Sequence, residues 1–182
     1  FMRRLLTFTG LICGLFAAAA NADGDVAGTL IVENQWHDPV VIPRIDHEQS
    51  GITIDGHLDE AAWASPPTFD TFRVVEPDTL AVPPYKTEVR MFYTENGLYV
   101  SFDLEQPADT IVKRYTVRDE FGVSRDNVSF TLDTSGEGRY AYWMNLSLGY
   151  VQMDGTVKPE REFSRGWADA WYGPQHTPPT GL

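Results

Sequence analysis

Trp143 and Asn145 sit two positions apart in the run YAYWMNLS, and in a strand they project from one face. Tyr142, Met144 and Leu146 then project from the other. If the second set is core, an indole plate lies beside an amide on the open face. A sugar suits that pairing, because its C–H face stacks on an aromatic ring while an amide bonds its hydroxyls. The alternative is that Trp143 packs under a loop. Trp167 and Trp171, in the run GWADAW, share a side of an extended segment. They form either a ligand platform or packing for the sheet or a partner.

Acidic residues gather near turns: Asp55, Asp59 and Glu60; Asp103, Glu105 and Asp109; Asp119, Glu120 and Asp126. Calcium takes about six to eight hard oxygen ligands, which such loops can supply. Asp119, Glu120 and Asp126 are the candidate ligands, although no DxDxDG loop is present and solvated turn acids explain the pattern equally well. Glycoside hydrolysis needs two carboxylates at a defined separation, and nothing here singles out a pair. His37, His47, His57 and His176 are scattered without HxH or HExxH spacing, and no nucleophile elbow occurs. The chain itself is expected to be non-catalytic. Met91, Met144 and Met153 are available as axial ligands for haem, a remote alternative, since buried methionines in a sheet usually fill gaps.

Composition narrows the partners. The 182 residues carry 26 acidic against 14 basic side chains, a formal net charge of −12. Such a surface repels phosphate backbones and anionic membranes, so a nucleic-acid partner is not expected. Neutral ligands, divalent cations or simple solubility fit it better, and the 13% aromatic content favours neutral sugars. Met2-Arg3-Arg4, the apolar run Leu5–Ala20 and the small residues Ala20 and Ala22 read as an export signal over 1–22. The destination is then periplasm, outer membrane or the extracellular space of a bacterium, and removing the leader makes the charge more negative still. Cys13 lies inside it, so the mature part has no thiol, disulfide or cysteine ligand.

Short strands must position these groups. Residues 23–50 read as a linker with one or two edge strands, at Thr29–Val32 and Val40–Ile45. The stretch from Gly51 to Trp63 reads as a short strand, a turn at Asp55-Gly56, and one helical turn that tucks Trp63 under a sheet. Phe69–Val75 is a further strand, followed by a long polar loop through Pro77 and Pro83-Pro84. Val89, Met91 and Tyr93 alternate with Glu88, Arg90 and Phe92, and Asn96-Gly97 joins this strand to Leu98–Leu104 as a hairpin. Asn127–Thr134 directs Val128, Phe130 and Leu132 inward. Ser135–Gly138 turns into Arg139–Ser147, Asp154-Gly155 closes another hairpin from Tyr150, and Trp167–Trp171 is a last strand. Short strands between turn signals, with no long amphipathic helix, predict an all-β antiparallel β-sandwich over 51–172. The Pro- and Thr-rich tail 173–182 reads as incomplete, since a sandwich ending there leaves an edge unpaired.

Three blocks carry a family likeness: ITIDGHLDEAAW, TEVRMFYTENGLYVSFDLE, and RDNVSFTLDT followed by YAYWMNLSLGYVQMDG. In order and spacing they resemble the carbohydrate-binding module family 9-like domain, a DOMON-like sandwich. Arg118-Asp119 and GWADAW resemble the branch that precedes an outer-membrane β-barrel in bacteria. The resemblance implies carbohydrate binding in a polypeptide linked to carbohydrate catabolism, a structural calcium, and an oligo- or polysaccharide partner. It also implies a barrel or hydrolase domain in the same polypeptide, and hence the alternative of a structural or interaction module. Family members clamp a sugar end between two tryptophans. Here the first clamp position holds Gly122-Val123-Ser124, the acid that should follow falls near Ser129, and the arginine expected beside Asn145 falls near Trp143. Asn145 alone keeps its place, and the second clamp tryptophan would lie past Leu182.

Overall fold

The computed structural model describes residues 30–34, 37–159, 162–168 and 170–174. The expected leader over 1–22, His176 and most of the 173–182 tail lie outside them. Within the described residues the chain is mostly strand with very little helix, in antiparallel sheets. Strands β1 (Leu30–Asn34) and β2 (His37–Ile42) pair with each other, as do β3 (Thr87–Thr94) and β4 (Gly97–Leu104). A four-stranded sheet follows in the order β5 (Asn127–Leu132), β6 (Ala141–Ser147), β7 (Val151–Val157) and β8 (Phe163–Ser164). The expected edge strands and the Asn96-Gly97 hairpin are therefore present, the latter in register from Thr87↔Leu104 to Thr94↔Gly97.

The β3–β4 hairpin is buried on both faces, which explains why β3 is apolar at successive positions. On one face Val89 and Met91 join Ile42, with Phe69, Phe72, Val100, Phe102 and, from the four-stranded sheet, Phe130 packed around them. On the other, Phe92 is fully buried and meets Trp63 and Ala62. The Trp63 and Phe92 rings meet edge-on at 4.8 Å, and Phe92 stacks on Tyr99 at 4.9 Å. A 3-10 turn over Ala61–Ala64 delivers that indole, as the LDEAAW pattern predicts. A single helical turn, α1 (His47–Ser50), leads into it. Asp46 caps its first N–H groups and Gly51, in the left-handed region at φ 56°, ends it.

Several elements differ from expectation. Gly51–Ile54 is irregular, because its backbone bonds to the Glu60 side chain and to the α1 exit rather than to a neighbouring strand. Phe69–Val75 makes only one bridge, Phe69 to Val89, before turning back on itself through Val74 and Ala81. Asp154-Gly155 is not a turn. It lies within β7, and the β6–β7 hairpin turns instead at Leu148–Tyr150. Nor are Trp167, Ala168, Ala170 and Trp171 in a strand; these residues are irregular chain after the short β8.

Gly155 is required by its neighbours. A Cβ there would stand 2.6 Å from both the Phe163 ring and the Ser164 carbonyl oxygen. The missing side chain lets Phe163 of β8 lie across β7 and reach Trp143 of β6, edge-on at 5.1 Å.

Candidate functional site

Register divides the four-stranded sheet into two faces. One carries Asn127, Ser129 and Thr131 of β5, Trp143, Asn145 and Ser147 of β6, and Val151, Met153 and Gly155 of β7. This is the buried side, although it is rich in polar groups. The Asn145 amide, 3% exposed, donates to Asn127 Oδ1 at 2.7 Å and Ser129 Oγ at 2.8 Å. Its oxygen accepts from the Ser147 hydroxyl at 3.0 Å. Arg125 is buried over the same face, donating to Thr116 Oγ1, the Glu120 carbonyl and the Met153 sulfur. Burial holds its pKa below the ordinary arginine value, and the Glu120 charge offsets only part of that.

Trp143 and Asn145 therefore do not form an open plate beside an amide. The alternation is as read, but both faces are covered in part: Phe130, beside Met144, packs against the core around Val89 and Met91, while Asn145 and Ser147 are buried on the other face. The Asn145 amide is spent on three side chains. Trp143 is half-buried between Phe163 and Phe121, the latter stacked at 6.2 Å, and the Arg165 guanidinium caps the Phe121 ring at 3.9 Å.

The second face turns Phe130 toward the core around Val89 and Met91 and reaches solvent at Tyr142. Tyr142 is exposed, and across the sheet it stands beside Thr156 and then Ser164, so an aromatic ring and two hydroxyls form one row. Trp167 leans over this row, its ring 4.7 Å from that of Tyr142 at an interplanar angle of 48°. The two rings pack on each other at a tilted corner, Tyr142 at 37% exposure and Trp167 half-buried. Two residues further along, about 7 Å in a strand, Asp154 lies opposite Met144 and anchors the rest of the C-terminal segment. Its Oδ2 accepts from the Arg118 guanidinium and, at 3.0 Å, from the Trp171 indole. Gln152 accepts from Arg118 and donates to the Trp171 carbonyl oxygen. Trp171 is thus a half-buried tether, while Trp167 belongs to the corner. Tyr142, grouped from sequence with Met144 and Leu146 on one face, is the residue that the sequence reading missed; its phenol, on a strand of mostly apolar neighbours, was the available signal.

The three candidate calcium ligands do not converge. Asp126 Oδ2 accepts from the Val112 N–H and the Gln106 amide. Asp119 pairs with Arg118 and accepts from the Asp154 N–H, and the Glu120 carbonyl is bonded by Arg125. Among the described residues no three His, Cys, Asp or Glu side chains gather to hold a metal ion. Of the methionines considered for haem, Met91 is in the core and Met153 is covered by Arg125.

Elsewhere, the loop after Phe72 turns apolar groups outward. Leu80 and Val82 are 63% and 73% exposed, and Val82 lines a shallow hollow of about 280 Å³ with Asp70, Phe72 and Tyr85. Among the described residues no helix is long and apolar enough to cross a membrane. No known family, curated protein or solved structure matches the chain.

Proposed function

We propose that this chain is an exported, non-catalytic carbohydrate-binding β-sandwich of the family 9-like type, which holds a saccharide by stacking on the Tyr142–Trp167 corner. The observation that carries the reading is the corner itself. Two tilted aromatic rings meet at the sheet surface beside the Thr156 and Ser164 positions, and a pyranose presents both a C–H face and hydroxyls to match. The contact of Phe130 with the core around Val89 and Met91 supports two facing sheets. The three sequence blocks support the family.

Titration of the full chain with neutral oligosaccharides, followed by tryptophan fluorescence, tests it. Tyr142→Ala and Trp167→Ala should each weaken binding about tenfold, while Trp143→Ala should act through stability. Binding that persists unchanged in both corner variants would refute the site. A folded chain that binds no glycan would favour the second reading, a structural module docking on its own barrel or another partner. The exposed Leu80 and Val82 loop supports that reading.

A further inference from the structure

Lys113 and Arg114 are exposed, and among the described residues neither has an ion-pair partner. Other basic side chains, Arg73 and Arg139 among them, also lack one, so what sets this pair apart is its aromatic neighbours. The Lys113 ammonium stands 5.4 Å from the Tyr115 ring centroid and 5.7 Å from that of Tyr150. Both rings are largely exposed, at 71% and 58%. A cation so placed is held by the negative faces of two rings while its remaining N–H donors point to water.

The backbone brings the rings together at some cost. Gly149, in the β6–β7 turn, lies so close to the 114 backbone that a Cβ would meet the Arg114 carbonyl oxygen at 2.4 Å. Tyr150 follows in the left-handed region at φ 63°, where a bulky side chain is rarely found. Glycine or asparagine would suit that position better if only the turn mattered.

We propose that Lys113, Arg114, Tyr115 and Tyr150 form a second site, which takes a carboxylate-bearing saccharide, a uronate residue. The carboxylate pairs with the ammonium and guanidinium while the pyranose C–H face lies on a tyrosine ring. The overall charge of −12 does not forbid this. At physiological salt the screening length is about 8 Å, so an anion at the surface responds to the charges beside it. Arg118 adds little, because Asp119 and Asp154 already balance it. The proposal rests on the carbohydrate-binding reading and changes its ligand class at this patch.

Calorimetry of the full chain with oligogalacturonate and with its methyl ester, the same rings without the charge, tests it. The acid should bind at least tenfold more tightly than the ester and weaken as salt rises. Lys113→Ala and Arg114→Ala should each reduce acid binding about tenfold, Lys113→Arg should restore most of it, and Arg44→Ala should leave it unchanged. Tyr115→Ala and Tyr150→Ala should weaken it as well. Equal binding of acid and ester, or acid binding indifferent to Lys113 and Arg114, overturns the site. Equal binding of polyglutamate overturns the saccharide specificity. Neutral sugars bound without uronate would sink this proposal alone, whereas no glycan binding of either kind would sink the carbohydrate reading with it.

Discussion

Replacing Asp133 by asparagine tests how the chain sets up Tyr142. Asp133 follows β5, is 4% exposed, and organises the loop that returns as β6. Its Oδ1 accepts from the Ser135 N–H at 2.8 Å, the Ser135 hydroxyl at 2.7 Å and the Gly136 N–H at 3.0 Å. Its Oδ2 accepts from the Gly138 N–H at 2.6 Å. Burial alone would push this carboxyl up. The Ser135 hydroxyl and the N–H groups of Gly138, Ser135 and Gly136 outweigh burial and hold it below its ordinary value of 3.8.

An asparagine oxygen can replace Oδ1, but its NH2 then faces the Gly138 N–H, donor against donor. One charge-assisted bond is lost and the remaining bonds lose their charge. With bonds to charged groups contributing about 1.5–3 kcal/mol and neutral ones about 0.5–1.5, the expected loss is about 2–3 kcal/mol. In a domain of this size that lowers Tm by roughly 4–12 °C. The pH dependence gives a second handle. Because the folded pKa is depressed, the carboxylate's contribution is full above the unfolded-state value and is lost as pH falls through the lower folded value. Urea unfolding at pH 7 should therefore separate wild type from Asp133→Asn, and the separation should shrink on acidification below the ordinary Asp range. A difference under about 0.5 kcal/mol at pH 7, or one that does not change with pH, would refute the argument.

Gly155→Ala should cost about 1–3 kcal/mol, because the Ser164 carbonyl oxygen cannot yield as a side-chain tip can; loss of the near-ultraviolet dichroism from Trp143 should accompany it, and unchanged spectra and stability would count against the close approach. Phe92→Ala removes the ring between Trp63 and Tyr99 and should cost about 3–5 kcal/mol in urea unfolding; a value near 1 kcal/mol would mean that this core collapses to fill the gap. Asp154→Ala strips Arg118 and the Trp171 indole of their shared acceptor. Arg118 recovers water, its side chain being 39% exposed, so the loss should be on the order of 1–3 kcal/mol rather than that of a fully buried pair. Iodide quenching should then reach Trp171 more readily, and an unchanged quenching constant would contradict the tether.

Strands with one apolar set were legible from sequence. Val89 and Met91, the Asn96-Gly97 turn and the LDEAAW approach to Trp63 all sit where period and turn chemistry put them. Phe69–Val75 was not legible as a loop, because a single bridge to Val89 buries Phe69 and Phe72 without a strand's remaining hydrogen bonds. Asp154-Gly155 imitates a hairpin turn in sequence, yet it serves inside β7. There the aspartate meets Arg118 and Trp171, and the glycine makes room for Phe163. All three partners lie outside β7, so the dipeptide alone could not reveal them.

The candidate site was misread for a related reason. Hydrophobic alternation places the apolar set of a strand inward, and in β6 that set is Tyr142, Met144 and Leu146. The rule holds at Phe130, beside Met144 on that face, but it misses that a polar set which satisfies itself can be buried as well. Asn127, Ser129, Asn145 and Ser147 bond one another, so that face can be buried without unpaired amides. Arg125 covers it from the loop before β5, spending two guanidinium nitrogens on Thr116, Glu120 and Met153. Burial of the Asn145 side leaves the Tyr142 end of the other face available to Trp167 and solvent. The polar cross-strand network is therefore what moves the candidate sugar platform from Trp143 to Tyr142. If Asn145→Leu kept the fold and left Tyr142 and Trp167 equally accessible to quencher, that dependence of one face on the other would be wrong.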